Sequence, residues 1–247
     1  MFMKIYHRYY LPNTYNYKNL YLIHGLGEYS GRYVNFIQQL NKIGIAVFTF
    51  DLPGHGYTTG KKGDIENFYE IYSFLENYVQ EEYLLFGHSL GGLVASRFVE
   101  ITEKKPEKLI LSSPALGDIR QLSWLLNLFS IFPTLTFSNG INPYDLSTDK
   151  KACELYKKDP LVHDKITVRT ARQMFDEAEI ALKEIEKVDI PTLLLFGEED
   201  KIVNIEEYKK IKNSNIEKVP FSKGKHELFE CVYNKNKFYD KIFEFLK

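Results

Sequence analysis

Ser89 stands at the centre of Gly87-His88-Ser89-Leu90-Gly91, directly after the apolar run 83–86 and directly before residues 92–102, whose apolar positions repeat at helical spacing. A serine flanked at two residues by glycine, between a strand and a helix, reads as a nucleophile elbow. The turn strains the backbone at the serine, and larger side chains at 87 and 91 would block the close approach of strand and helix. The chemistry open to such a serine is attack on a carbonyl carbon. Attack leaves a negative oxygen, and preorganised backbone N–H groups stabilise it by about 3 kcal/mol each. The N–H of Leu90, opening the helix, is one expected donor. The second is expected from Tyr21-Leu22-Ile23-His24-Gly25-Leu26-Gly27, an apolar run ending in a glycine-rich turn, and it is assigned to Leu26. His24 in that turn and His88 in the elbow are read as shaping and packing residues.

A serine hydroxyl needs a base, and where an elbow of this kind occurs the chain order is nucleophile, acid, histidine. Two histidines follow Ser89. His163 lies in a segment where the strand–helix alternation is broken, whereas His226 follows the last expected strand in the polar loop Ser222-Lys223-Gly224-Lys225-His226-Glu227. His226 is therefore the expected base. The acid is expected in Gly197-Glu198-Glu199-Asp200, after the strand at 192–196; Asp200 is preferred for its spacing, with Glu198 and Glu199 read as solvated loop charges. The acid would fix the His226 tautomer and stabilise the imidazolium formed when it takes the serine proton.

These residues need a frame to hold them. Short apolar runs at 20–23, 45–50, 83–86, 108–111, 192–196 and 216–219 alternate with segments of helical period at 33–42, 68–80, 92–102, 205–212 and 234–247, the pattern of βαβ units building a parallel sheet. The alternation lapses for roughly 75 residues after Leu111 and resumes at Ile190-Pro191, which reads as an insertion without a convincing strand. Inside it, 165–187 reads as a long helix, and Asn139-Gly140 and Asn142-Pro143 mark turns.

Composition narrows the function classes. With 247 residues, 44% of them hydrophobic, the chain suits one large core. A formal net charge of −1, from 32 basic and 33 acidic residues, leaves no field to hold a nucleic acid. Cys153 and Cys231 fit neither a zinc spacing nor a disulfide framework, which points to a reducing cytoplasm, and the six histidines show no paired ligand spacing. The N-terminus lacks an apolar core of signal-peptide length, and the greasy stretch 122–137 is too short and too interrupted to span a bilayer.

Taken together, the segments His24-Gly25-Leu26-Gly27-Glu28-Tyr29-Ser30-Gly31-Arg32-Tyr33, Asp51-Leu52-Pro53-Gly54-His55-Gly56, Gly87 to Gly92, Asp159-Pro160-Leu161-Val162, Gly197 to Asp200 and Lys225-His226-Glu227 give the chain its family likeness. Over nearly its whole length it resembles monoacylglycerol lipases and the related lysophospholipase-like esterases. The resemblance implies an α/β-hydrolase fold, with a mostly parallel central sheet flanked by helices and a helical cap inserted after the sixth strand. Residues 1–113 and 189–247 would form the core and 114–188 the cap. It also implies the triad Ser89, Asp200 and His226, oxyanion donors at Leu26 and Leu90, no metal or organic cofactor, and a small ester or lipid as substrate. Trp124, Leu125, Leu128 and Phe129, in the greasy stretch, would bind substrate along an acyl tunnel or touch a membrane surface; the alternative is a cap helix that only packs on the sheet. Two departures stand out: the tyrosine-rich region before Leu20 is short, so the opening antiparallel strands are expected to be trimmed, and Leu26 replaces a smaller residue.

Three activities are weighed. The first is hydrolysis of monoacylglycerols, lysophospholipids or similar single-chain esters through an acyl-Ser89 intermediate. The second keeps the triad and changes the bond, to a thioester or a short peptide, for which Asp176, Glu177 or Glu179 could hold an α-amine. The third is a low-turnover receptor for an apolar ligand. Dehalogenase chemistry is disfavoured, since it needs a carboxylate where Ser89 stands.

Overall fold

The computed structural model describes residues 4–16, 18–117 and 131–247. Among these, five strands come first, β1 (His7–Tyr10), β2 (Asn19–Ile23), β3 (Ala46–Phe50), β4 (Leu84–His88) and β5 (Lys108–Ser112). A short ribbon, β6 (Thr136–Ser138) with β7 (Lys165–Thr167), intervenes before β8 (Thr192–Gly197) and β9 (Ile216–Phe221). The main sheet runs β1-β3-β2-β4-β5-β8-β9, with β1 antiparallel to β3 and every other pairing parallel.

Buried on both faces, the central strands read as continuous apolar runs, as parallel strands do. Their side chains still alternate. In β2, Leu20 and Leu22 join a core with Phe36, Ile37 and Leu40 of α1 (Val34–Lys42). Tyr21 and Ile23 join the opposite core, with Phe68, Ile71 and Leu75 of α2 (Phe68–Tyr78) and Leu93, Val94 and Phe98 of α3 (Leu90–Ile101). Crossover helices on both faces thus aim the C-terminal ends of β2, β4 and β8 at one rim, where ligands bind in open α/β sheets.

Between β5 and β8 the chain makes α4 (Pro143–Leu146), α5 (Lys150–Lys158) and α6 (Val168–Glu184), and α7 (Ile205–Lys210) and α8 (Lys235–Leu246) complete the later crossovers. The β6–β7 ribbon corrects the expectation of a strandless segment. At three residues each, its strands are too short to display alternation. It also moves the start of the long helix from 165 to Val168, where the Thr167 side chain accepts the Thr170 N–H. Gly140, at φ 73°, and Asn142, capping α4 ahead of Pro143, form the expected turns. The segment leaves the sheet after its fifth described strand, not a sixth, because a single antiparallel strand, β1, precedes β2. That strand, drawn from the tyrosine-rich start, is not among the apolar runs read as strands. No helix among the described residues is long and apolar enough to cross a membrane.

Candidate active site

Ser89 joins β4 to α3 with φ 54° and ψ −118°, a conformation L-residues rarely adopt. The local sequence permits it. A Cβ on Gly91 would lie 2.2 Å from the Ile23 carbonyl oxygen, and one on Gly87 would lie 2.3 Å from the Gly91 oxygen. The turn is held by Ser89 N–H donating to Ser112 O at 3.0 Å, while Ser89 O accepts from Leu93 and Ala115 at 3.0 and 2.9 Å. Ser89 keeps 8% of its surface exposed.

Beyond β8, Asp200 turns back over the sheet. Its Oδ2 accepts from His226 Nδ1 at 2.8 Å, and its Oδ1 accepts from the N–H groups of Ile202 and Val203 at 2.8 and 3.3 Å. Glu198 and Glu199 are exposed, so of the three carboxylates only Asp200 meets the histidine. The His226 ring lies against that of His88, the residue before Ser89, with 4.8 Å between centroids. With Nδ1–H given to Asp200, the basic nitrogen of neutral His226 is Nε2. Burial alone would lower the His226 pKa, but the charge and hydrogen bond of Asp200, helped by Glu227 and Glu28, raise it above the ordinary value. Burial likewise pushes Asp200 up, yet His226 and the two backbone donors bring its carboxyl below the usual carboxylate range. His163 lies elsewhere, its Nε2 3.1 Å from the Gly54 carbonyl oxygen.

The loop after β2 closes the site. A Cβ on Gly25 would lie 3.1 Å from the Ser89 Cβ, so this loop rests against the elbow. Leu26 N–H and Leu90 N–H find no acceptor among the described residues. Leu90 opens α3, where first-turn amides have no partner within the helix. Trp124, Leu125, Leu128 and Phe129 lie outside the described residues.

One group of charges was quoted in the sequence motifs without a role. The buried Glu28 carboxylate accepts from Gly25 N–H at 2.6 Å and Tyr33 Oη at 2.5 Å, and pairs with Arg32 at 2.5 Å. Arg32 also grips both oxygens of Glu227, at 2.5 and 2.8 Å, and stacks 4.5 Å over the Tyr156 ring of α5. Burial pushes Glu28 up, but Arg32, joined by His88, His24 and the Tyr33 hydroxyl, outweighs it and holds the carboxyl at about 2. The loop bearing Leu26 and the loop bearing His226 therefore share one cation. Charged residues set inside otherwise small and apolar motifs were the available signal. Among the described residues, no group of three or more His, Cys, Asp or Glu side chains could hold a metal ion.

Residues 16–230 match the Hydrolase_4 family, described as Serine aminopeptidase, S33. A crystal structure of Paleococcus ferrophilus monoacylglycerol lipase superposes with a TM-score of 0.91 at 35% identity, covering 99% of this chain and 98% of that one. Phospholipase YtpA of Bacillus subtilis is 32% identical over 197 residues, 74% of this chain and 76% of that protein. An uncharacterized abhydrolase domain-containing protein of Dictyostelium discoideum is also 32% identical, over 73% of this chain but only 20% of its own length. Strained Ser89 at the sheet rim and a family match over most of the chain lead to one assignment: the chain belongs to the Hydrolase_4 family and is an enzyme of the α/β-hydrolase fold.

Proposed function

We propose that the chain hydrolyses single-chain lipid esters, monoacylglycerols or lysophospholipids, through an acyl-Ser89 intermediate. The observation that carries this reading is the 2.8 Å Asp200–His226 pair set beside an elbow whose serine sits at φ 54°. Ser89 Oγ gives its proton to His226 Nε2 as it attacks the carbonyl carbon. The N–H groups of Leu26 and Leu90 take the oxyanion. His226 then protonates the leaving alcohol, and a water activated by the same nitrogen releases the acid. No step calls on a metal or organic cofactor. The ester class is supported by the relatives, one a monoacylglycerol lipase and another a phospholipase.

Residues 1–113 and 189–247 act as the core and 114–188 as a cap over the site, with Trp124, Leu125, Leu128 and Phe129 the residues assigned to substrate binding. Within that segment Ile131 and Phe132 are 76% and 58% exposed, close to Leu135 and Phe137, a surface suited to brief contact with the membrane that holds such esters. Two buried free thiols, Cys153 and Cys231, suit a cytoplasmic protein.

The family description also names an aminopeptidase. That reading needs a carboxylate to receive an α-amine. Glu177 is bound by Arg97 and Tyr72 and Glu179 by Lys183, so neither is offered for that task, and Asp176, the third candidate, is exposed on α6. The test is a panel of glycerol, lysophospholipid and nitrophenyl esters alongside thioesters and aminoacyl amides. Ser89→Ala should lower ester turnover by about 10³-fold or more and abolish fluorophosphonate labelling. Parent-level turnover in Ser89→Ala would sink the proposal, and a parent protein that binds esters but resists the probe would make it a receptor.

A further inference from the structure

An oxyanion donor works only if it points at the place where charge develops, and Leu26 N–H sits in a glycine-rich turn with little stiffness of its own. The turn is fixed by its neighbours. Gly25 N–H is taken by Glu28 Oε1 at 2.6 Å, and Gly27 O accepts from His163 N–H at 2.8 Å. The carbonyl of Gly25 faces His24 Nδ1 at 2.8 Å. His24 Nε2 accepts the Leu52 N–H at 2.9 Å, so in the neutral ring the proton resides on Nδ1, and Nδ1 donates to Gly25 O. Burial keeps this ring neutral, lowering its pKa below the ordinary value.

The carbonyl of Gly25 and the N–H of Leu26 belong to one peptide unit. No cis peptide occurs among the described residues, so the two bonds point in opposite directions across a rigid plane. Whatever holds the Gly25 oxygen sets the direction of the Leu26 hydrogen. We propose that His24 is a positioning residue: its Nδ1–H, locked by Leu52, rotates the Gly25–Leu26 peptide so that Leu26 N–H faces the oxygen formed at Ser89. This rests on the hydrolase reading above, and it gives a task to a histidine that the sequence assigned only to shaping a turn.

The test compares a nitrophenyl ester with its thionoester, in which sulfur replaces the carbonyl oxygen. Sulfur is larger and a poorer acceptor, so aligned donors favour the oxygen substrate. His24→Gln can still accept from Leu52 but offers no donor at the Nδ1 position. It should lower kcat on the oxygen ester by about 10- to 100-fold, with KM and thionoester turnover each kept within about 2-fold. His24→Asn, whose amide nitrogen reaches the Nδ1 position, should regain most of the loss. A parallel fall on both esters, or an Asn variant no better than Gln, overturns the positioning role. Should His24→Gln fail to fold, His24→Phe, which keeps the ring's bulk without its nitrogens, is read in the same way. Parent-level oxygen-ester turnover by Ser89→Ala would overturn the hydrolase reading, a result independent of the His24 variants.

Discussion

In the proposed mechanism His226 takes a proton from Ser89 only while its ring is neutral, so the field of Asp200 both enables and restricts it. A raised His226 pKa places the acidic limb of kcat/KM above 6.5, the ordinary histidine value. In Asp200→Asn the attraction goes and burial remains. The limb should then move to lower pH, while kcat falls by about 10³- to 10⁴-fold because the tautomer is no longer enforced. A pH profile of both proteins checks this; a limb that stays in place in Asp200→Asn would mean that another group sets it. Asp200 was preferred over its neighbours for its spacing after the strand and glycine, and it is the carboxylate of that loop that meets His226. The link from Arg32 to both Glu28 and Glu227 was not within reach of the sequence: the two acids stand roughly two hundred positions apart, and nothing in local pattern pairs them.

At the scale of elements, the elbow depends on how closely α3 approaches β2. Gly91→Ala would place a methyl group 2.2 Å from one backbone oxygen and 2.5 Å from another, those of Ile23 and His24, and neither can swing aside as a side chain could. The variant should lose about 2 kcal/mol or more, roughly 4–8 °C in melting temperature for a chain of this size. Activity should fall further than stability, because the displaced strand carries the loop with Leu26. Calorimetry and turnover on one preparation test this, and parent-like values for both would show that the contact relaxes freely. The six sheet strands expected from apolar runs are all present: five are largely buried parallel strands that leave strong signals, and the sixth, β9, is a half-exposed edge strand with a weaker one. β1 was missed because it is an edge strand whose exposed and half-buried tyrosines give no apolar run. The ribbon at 136–138 and 165–167 was missed because its partners meet across almost thirty residues in three-residue pieces.

Across the whole molecule, charge burial ties folding to pH. Glu28 is held at about 2 against an ordinary 4.5, so its stabilising contribution is complete above 4.5 and is lost as pH falls toward 2. His24, His55, His88 and His163 are all depressed, chiefly by burial, and their contribution is lost as pH drops below 6.5. His226 runs the other way, its raised pKa favouring the fold below 6.5 and losing that effect as pH rises. With four histidines against one, the melting temperature of the parent should fall on acidification from pH 7. Arg32→Gln leaves two buried carboxylates unpaired, which costs about 3–5 kcal/mol at neutral pH. Protonation relieves that cost, so the gap in melting temperature between the two proteins should narrow as pH is lowered. A gap that is constant from pH 7 to 4 would contradict the central place given to Arg32.

The segment between β5 and β8 grips the reactive loops in a particular way. It meets the loop of Leu26 through His163 N–H on Gly27 O, and the loop of His226 through the Leu146 carbonyl, which accepts the Glu227 N–H at 2.7 Å. Both are main-chain bonds, blind to side-chain identity as long as proline is kept from positions 163 and 227. These two bonds therefore survive side-chain changes in the segment, whereas the Tyr156 ring over Arg32 and the Asp159 carboxylate on Tyr29 depend on residue identity. On the proposed reading of this segment as a substrate-selecting cap, exchanging it between relatives should transfer substrate preference wherever the two main-chain contacts, Tyr156 and Asp159 are kept.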